Sequence, residues 1–595
     1  MASAAAKAWV VCLEIKRIQT WLFAVPKLQA MVGANAILAK LLSQTLVAKA
    51  EENGAKLPAG VDRTGGTSTP KAIPGDPLAD WDRPLALADD PVLVRHAGRF
   101  HVVFLDFAQA EQFVRAAAVA IAEACGDVLV AAHIEPLTQQ AKGWLQGDRI
   151  EVAAVGEATA GLVALESPLL QPCQASGVGF ASKRVGGRAG ARKLRVSDEV
   201  VRRREAFSRH DRATGDDRDL VKRFYQGIPG FDALRQQNDF TDLADGGYLG
   251  VLCADGNSVG AGLAAARQAV PAGDYFAQWY HTEAYFLRTR SRIRAALATA
   301  LAETPGLAAG AWQTPRYRLL MLGGDDILLV ARADRVLELA ARMCKALDAL
   351  NAQSAVGDSG SPTTVGVGVA IVHPKFPFRR AHELAEHLMA SAKRRSRTEN
   401  CVDWEVVTAA ALPDLQAQRL AQWVGRAPDG SLAIASLRPY TGQGLQRLVA
   451  AAKPLVPDRA ATDADRTARI GRGQWRWLAE QMHRGMFLGE LARRELRPQA
   501  REMIDKAVLV VGDGASDVAQ PKPHDMCAHW YPLGATGTGT SAWGTPLLDL
   551  VEVAHIHTLG TRGVAHEDLD DETVEADTTA TSDLGPRRGP SGGAP

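Results

Sequence analysis

Several patterns that would quickly suggest a role are missing from these 595 residues. No C-x-x-C pair occurs: Cys12, Cys125, Cys173, Cys253, Cys344, Cys401 and Cys527 stand singly. That removes the usual start of a zinc finger or dithiol redox centre and predicts reduced, buried thiols. The fourteen histidines show no metal-ligand spacing. Two His-Asp dipeptides, His210-Asp211 and His524-Asp525, lie in polar, loop-like sequence without a helical His partner, which argues against a metal phosphohydrolase. There is no run of eighteen apolar residues, and the start MASAAAKAWVVCLEIKRIQ has no signal-peptide core. A cytoplasmic protein without a membrane partner is therefore expected. A formal net charge of +1 supplies no global pull toward nucleic acid or anionic lipid, so any such attraction must be local.

The composition, 47% hydrophobic and 23% charged, is that of a soluble globular protein, and the length calls for more than one core. Within it lies LLMLGGDDILLV, residues 319–330, where two glycines and two aspartates interrupt runs that read as buried strand. Burying an unpaired carboxylate costs several kcal/mol, so Asp325 and Asp326 at the tip of an apolar hairpin point to a cation. The competing reading is a plain hairpin turn, for which Gly and Asp supply the backbone freedom.

A β-α-β-β-α order runs from Trp9–Ile15 through a helical stretch with breaks at Pro26 and Gly33, a Gly/Pro/Asp-rich loop at 52–90, a strand pair at 91–107 and an alanine-rich helix at 108–125. The order then recurs. Strand Tyr248–Ala254 leads through a turn into a helical region ending near 303; the hairpin strands 316–322 and 327–332, helix 334–350, strand Thr364–Val372 and helix 380–394 follow. The predicted fold class is α+β, with two ferredoxin-like halves, each an antiparallel sheet covered by helices on one face, and a helical C-terminal region.

Between the halves, residues 183–212 carry eleven Lys or Arg against four Asp or Glu. A solvated helix face is one reading and phosphate contact the other; apart from Phe207 the stretch lacks aromatics for base stacking. A Gly/Pro/Thr-rich loop is expected at 512–545. Eight acidic and no basic residues between Glu567 and Asp583 predict a disordered tail.

Asp255 ends the first strand of the second half, and in a β-α-β-β sheet that strand lies beside the hairpin. Asp255, Asp325 and Asp326 would then share one edge as an oxygen site for Mg²⁺ or Mn²⁺, in the two-ion arrangement that nucleotidyl transfer uses. Gly323 and Gly324 let the backbone approach a base or phosphate. Asn257 and Ser258 are candidates for phosphate or ribose contact, or for an Asx turn. Lys393 is either a phosphate-binding point charge or an ordinary cation at a helix C-terminus.

The segments YLGVLCADGNSVG, LLMLGGDDILLV, TTVGVGVAIVHPKFPFRRAHELAEHLMASAK and NCVDWEV resemble the second palm domain of the large subunit of type III CRISPR effector complexes. EIKRIQTWLFAVPKLQAMVGANAILAKLL is similar to that family's first palm, and RPYTGQGLQRLVAAAK with TPLLDLVEVA to its C-terminal helical region. The resemblance implies a first palm at 1–165, degenerate in its turn RHAGRFHVV, a basic linker at 166–240, a second palm with the GGDD turn at 241–408, a mainly helical domain at 409–560 and the tail at 561–595. It further implies a cyclase-polymerase that joins ATP into cyclic oligoadenylates in antiviral defence, with Asp255, Asp325 and Asp326 as metal ligands and catalytic carboxylates.

Three departures qualify the resemblance. A His-Asp nuclease domain is not expected, since none precedes the first palm. The stretch at Cys173, PCQASGVGFASKRV, resembles the start of a zinc ribbon without its partner cysteines, so no zinc is expected. The acid-free turn of the first half leaves one active centre. Nucleoside triphosphates are the expected partners, together with guide-RNA effector subunits and RNA; a homo-oligomer is compatible with the sequence. The alternative function is an RNA-guided complex subunit with a mainly structural, nucleic-acid-binding role.

Overall fold

The alternating runs near the N-terminus and the unbroken apolar runs after residue 248 fold into two sheets with the same connectivity. The computed structural model describes residues 7–559 apart from 62–72, 80–89, 153–170, 187–192, 213–219, 229–238, 308–315, 355–361, 408–413, 427–430, 457–473, 513–530, 536–540 and breaks of one or two residues. The acidic tail and the dipeptide His524-Asp525 lie outside the described residues.

The first half comprises β1 (Lys7–Ile15), α1 (Leu28–Lys40), β2 (Val92–His96), β3 (Arg99–Phe104), α2 (Phe107–Cys125) and β4 (Val130–Gln140). Its strands lie in the antiparallel order β2-β3-β1-β4, with short strands added beyond β4. The Asp106 side chain accepts a hydrogen bond from the Gln109 amide and so fixes the start of α2. Val11 and Leu13 point to one face, packed on Phe113, Val114 and Met31; Val10 and Cys12 point to the other. Strand β4 completes this sheet, an element absent from the expected order.

The second half repeats the plan with β5 (Leu249–Gly256), α3 (Tyr275–Glu303), β6 (Tyr317–Gly323), β7 (Asp326–Arg332), α4 (Ala333–Ser354), β8 (Val365–Val372), α5 (Phe378–Arg395) and β9 (Cys401–Val406). The order is β6-β7-β5-β8-β9, continued by the two-residue strand β10 (Tyr440–Thr441). Two features depart from expectation. Strand β9 runs parallel to β8, so the sheet is mixed. Both faces are covered: Leu252, Ala254 and Leu329 pack on α3 and α4, whereas Val251, Cys253 and Leu328 pack on α5 and the first half. The physical reason is visible in β8, buried at every position from Val365 to Val372, because unbroken apolar strands need two partners.

Helix α3 joins the halves. Its start, with Phe276 and Trp279, packs on the free face of the first sheet. Its later turns, with Ile293, Leu297 and Leu301, lie under the second sheet.

The C-terminal region shares the core of the second half, since Leu445, Leu448, Leu550 and Val551 pack in one cluster with Trp404 and Leu347. It is not purely helical: Val424–Arg426, Leu432–Ile434, Ser541–Gly544 and Tyr531–Ala535 form a four-stranded sheet. Two of these strands fall where the glycine-rich composition had suggested only loop.

The basic stretch forms a small hairpin, Lys183–Val185 with Leu194–Val196, followed by helix Asp198–Arg212, which also takes in His210 and Asp211. This helix is not wholly solvated. Arg203 is fully buried, donates to the Leu22 carbonyl at 3.1 Å and the Trp21 carbonyl at 2.6 Å, and pairs with Glu199. Its backbone comes so close to α1 that a Cβ on Gly33 would lie 1.9 Å from the Arg203 carbonyl oxygen. The helical stretch Leu28–Glu52 is long and apolar enough by length and composition to cross a membrane. Here Leu28, Met31, Leu41 and Leu46 belong to the core of the first half.

Helix α5 owes its seat to its own pattern and to the strand beneath it. Ala381, Leu384, Ala385, Leu388 and Ala392 recur at helical spacing and are buried. A Cβ on Gly368 of β8 would stand 2.0 Å from the Ala385 carbonyl oxygen and 2.3 Å from the Met389 amide nitrogen, both backbone atoms. Gly368→Ala is therefore expected to cost about 2–3 kcal/mol by overpacking, read as a lower midpoint in thermal or urea unfolding.

Candidate active site

Strands β5 and β7 are direct neighbours, Ala254 opposite Ile327, so the end of β5 and the turn between β6 and β7 emerge at one edge. The turn closes with Gly323 opposite Asp326 and leaves Gly324 and Asp325 as its two central residues. Gly324 has φ +65°, the left-handed value that a type II′ hairpin requires at its first central position. A side chain there would also strike Phe286 of α3, 2.5 Å from its ring carbon Cζ. At Gly323 a Cβ would meet only Met321 Cγ, at 3.9 Å, so its outer side is open.

This geometry gathers Asp255, Asp325 and Asp326, each offering a carboxylate oxygen within 4.8 Å of the others. Gly256 makes the approach possible, since a Cβ on it would lie 3.1 Å from Asp325 Cβ. Lys393 enters the same cluster from α5: its ammonium pairs with the Asp255 carboxylate and donates to the Gly256 carbonyl at 2.9 Å. Gly366, opposite Asp255 on β8, opens the route, because a Cβ there would stand 2.5 Å from Lys393 Cγ. Lys393 stands in the last turn of α5, as the helix-end reading has it, and its ammonium is also drawn to the Asp255 carboxylate, a contact that the sequence does not reveal.

Asn257 and Ser258 are placed differently from each other. The Asn257 side chain is buried and donates to Thr364 Oγ1 at 3.0 Å and to the Glu399 carbonyl at 3.2 Å, while its amide bonds the Thr364 carbonyl at 2.8 Å. It pins the loop after β5 to the start of β8 through long-range contacts, not through a local Asx turn. Ser258 is exposed with φ +55°, just before helix Val259–Gln268.

Residues that spacing did not single out complete the surroundings. Phe286 covers Gly324 and stacks on His96 with ring centroids 5.1 Å apart. His96 Nε2 lies 3.0 Å from the Glu283 carboxylate. Burial opposes the charge on Glu283, yet the adjacent His96 holds its carboxyl below the usual range. The hairpin of the first half, whose turn carries no acid, thereby reaches the second hairpin through α3. No sequence signal marks this contact, which joins residues 96, 283, 286 and 324 across two sheets.

Electrostatics at the cluster favour an added cation. Burial first, and then the Asp255 charge, push Asp325 up to about 6 and Asp326 up to about 9. Three hard oxygen donors whose charges oppose one another fit Mg²⁺ or Mn²⁺ and offer nothing to a soft metal.

The sign of the resulting pH dependence follows from linkage. A carboxyl that binds its proton more tightly folded than unfolded takes stability from the fold as pH rises. The penalty begins near the ordinary aspartate value of about 4, grows through about 6 and levels off above about 9. In chelator, the melting temperature is expected to fall between about pH 5 and 9, and Asp326→Asn to remove part of that slope. Mg²⁺ or Mn²⁺ should raise it more at the alkaline end. Differential scanning fluorimetry across the range checks both.

Residues 248–402 match the family model Cas10/Cmr2, second palm domain. Comparison with curated proteins gives no match. Among solved structures, the chain is similar to a Csm1-Csm4 cassette in complex with cA4, with 14% identity over 93% of this chain and 70% of that chain and a TM-score of 0.46. The cassette in complex with one ATP gives 12% identity, 93% and 70% coverage and a TM-score of 0.46. Csm1 from T. onnurineus gives 14% identity, 94% and 70% coverage and 0.45. Over residues 248–402, the segment that holds the three carboxylates, the chain is therefore similar to the second palm domain of the Cas10/Cmr2 family.

Proposed function

We propose that the protein is a metal-dependent nucleotidyltransferase that joins ATP into cyclic oligoadenylate-type second messengers, as the polymerase subunit of a type III CRISPR effector. The observation that carries this reading is the convergence of Asp255, Asp325 and Asp326 beside a glycine-lined turn. Adenine as the base, and association with guide-RNA subunits, rest on the family resemblance.

Asp255, Asp325 and Asp326 would hold the ions. Mg²⁺ or Mn²⁺ held by these carboxylates would supply the charge that makes a 3′-hydroxyl more acidic and a pyrophosphate a better leaving group. The chain's own groups do the positioning. The open side of Gly323 lets backbone lie against a phosphate or base where a side chain would collide. Lys393, which pairs with Asp255, brings a positive charge to the same edge and would donate to phosphate oxygens of a nucleotide seated there. The proximity of Phe286 and His96 to the turn brings the first half to the edge of the same site, where a second nucleotide would supply the hydroxyl.

Incubation of purified protein with Mg²⁺ or Mn²⁺ and each nucleoside triphosphate, followed by mass spectrometry, tests the reading. Cyclic adenylates are expected from ATP. Asp325→Asn and Asp326→Asn should each lower the rate by about 100-fold or more while the circular dichroism spectrum is kept. Lys393→Ala should also reduce it, with the larger effect on ATP affinity. No product from any triphosphate, or product that persists in both aspartate variants, would overturn the proposal.

A further inference from the structure

A second group of ligand atoms lies on the first sheet, far from any cysteine or histidine motif. Cys12 of β1 and His133 and Glu135 of β4 each offer one atom within 4.8 Å of the other two. Pairing explains the cluster: Cys12 is directly opposite His133, and Glu135, two residues on, projects from the same face. On the other side of β1, Cys12 is opposite His101 of β3, so a further imidazole lines that face.

The donor set has the chemistry of a transition metal. Thiolate, imidazole and carboxylate together suit Zn²⁺, whereas Mg²⁺ prefers oxygen alone. Spacing agrees. His133 Nε2 and Glu135 Oε1 lie 3.3 Å apart; a tetrahedral ion with bonds of about 2.0 Å to nitrogen and oxygen separates two such atoms by about 3.3 Å. The surroundings agree too. Tyr275 Oη donates to Glu135 Oε2 at 3.0 Å, orienting the carboxylate and leaving Oε1 toward His133. Cys12 and Glu135 are buried, while the His133 side chain retains 19% exposure and gives an entry path.

We infer that Cys12, His133 and Glu135 form a zinc site in the first half, with three protein ligands and a fourth position for water. The absence of C-x-x-C spacing, from which no zinc was expected, is no obstacle, because adjacent strands supply the ligands instead of a knuckle. Tyr275 is the first residue of α3, so the ion would tie β1 and β4 to the start of the helix whose Phe286 covers Gly324.

The test uses the full chain, purified without a metal-affinity step, equilibrated with Zn²⁺ and desalted. Elemental analysis should find about one zinc per chain, retained in Cys173→Ser and in Asp325→Asn/Asp326→Asn, and at least about 10-fold less in Cys12→Ser and His133→Ala. The Co²⁺ form of Cys173→Ser should show tetrahedral d–d bands with a thiolate-to-cobalt charge-transfer band in the near ultraviolet. That spectrum decides the question even where Cys12→Ser or His133→Ala fails to fold. No zinc in the unaltered chain, zinc unchanged in Cys12→Ser, zinc lost with Cys173→Ser, or a cobalt spectrum without the thiolate band would overturn the assignment.

Discussion

Three carboxylates forced together at one sheet edge set the terms for everything around them. Their repulsion is geometric in origin: register puts the end of β5 beside the turn of β6 and β7, and Gly256 removes the bulk that would keep Asp255 and Asp325 apart. Half-burial makes the crowding costly, since low dielectric strengthens like-charge repulsion as it does attraction. One ammonium, from Lys393, partly offsets it. Gly366 and Gly368 open the route of that side chain and seat its helix, so glycines in a strand interior, ordinarily a weakness, here leave room for a cation to reach the carboxylates.

The same crowding explains why this part of the chain could be read without coordinates. Glycine and aspartate inside unbroken apolar runs make a local conflict, and such conflicts collect at functional sites. Asp255 was legible because a β-α-β-β order fixes strand adjacency. Lys393 was legible only as a residue: nothing in HELAEHLMASAK reveals that Gly366 leaves a passage toward Asp255, a relation between two elements. Asn257, equally polar, spends its side-chain amino group on Thr364 and Glu399 in holding the loop.

Elements were read best where periodicity was strong and least well where composition misled. The alanine-rich helix and both hairpins stand close to their expected places. The strands Tyr531–Ala535 and Ser541–Gly544 sit in glycine- and threonine-rich sequence; Ser541–Gly544 takes its place in the sheet by pairing with Leu432–Ile434, about a hundred residues earlier, and Tyr531–Ala535 pairs with Ser541–Gly544 in turn. The parallel pairing of β8 with β9 and the covering of both sheet faces are tertiary facts, though the apolar monotony of TVGVGVAIV had stated half of the second. The grouping of Cys12, His133 and Glu135 shows the same boundary, since no linear motif spans residues 12 to 135.

Helix α3 is a continuous rod of 29 residues, about 44 Å at 1.5 Å per residue, seated at one end on the first sheet and at the other beneath the second. It therefore acts as a ruler: the offset between Tyr275 and Phe286 is counted in helical turns and does not depend on loop length. Inserting or deleting a single residue between them would swing the aromatic ring about 100° away from Gly324, so the phase of this helix is a design constraint as strict as the identity of any one side chain.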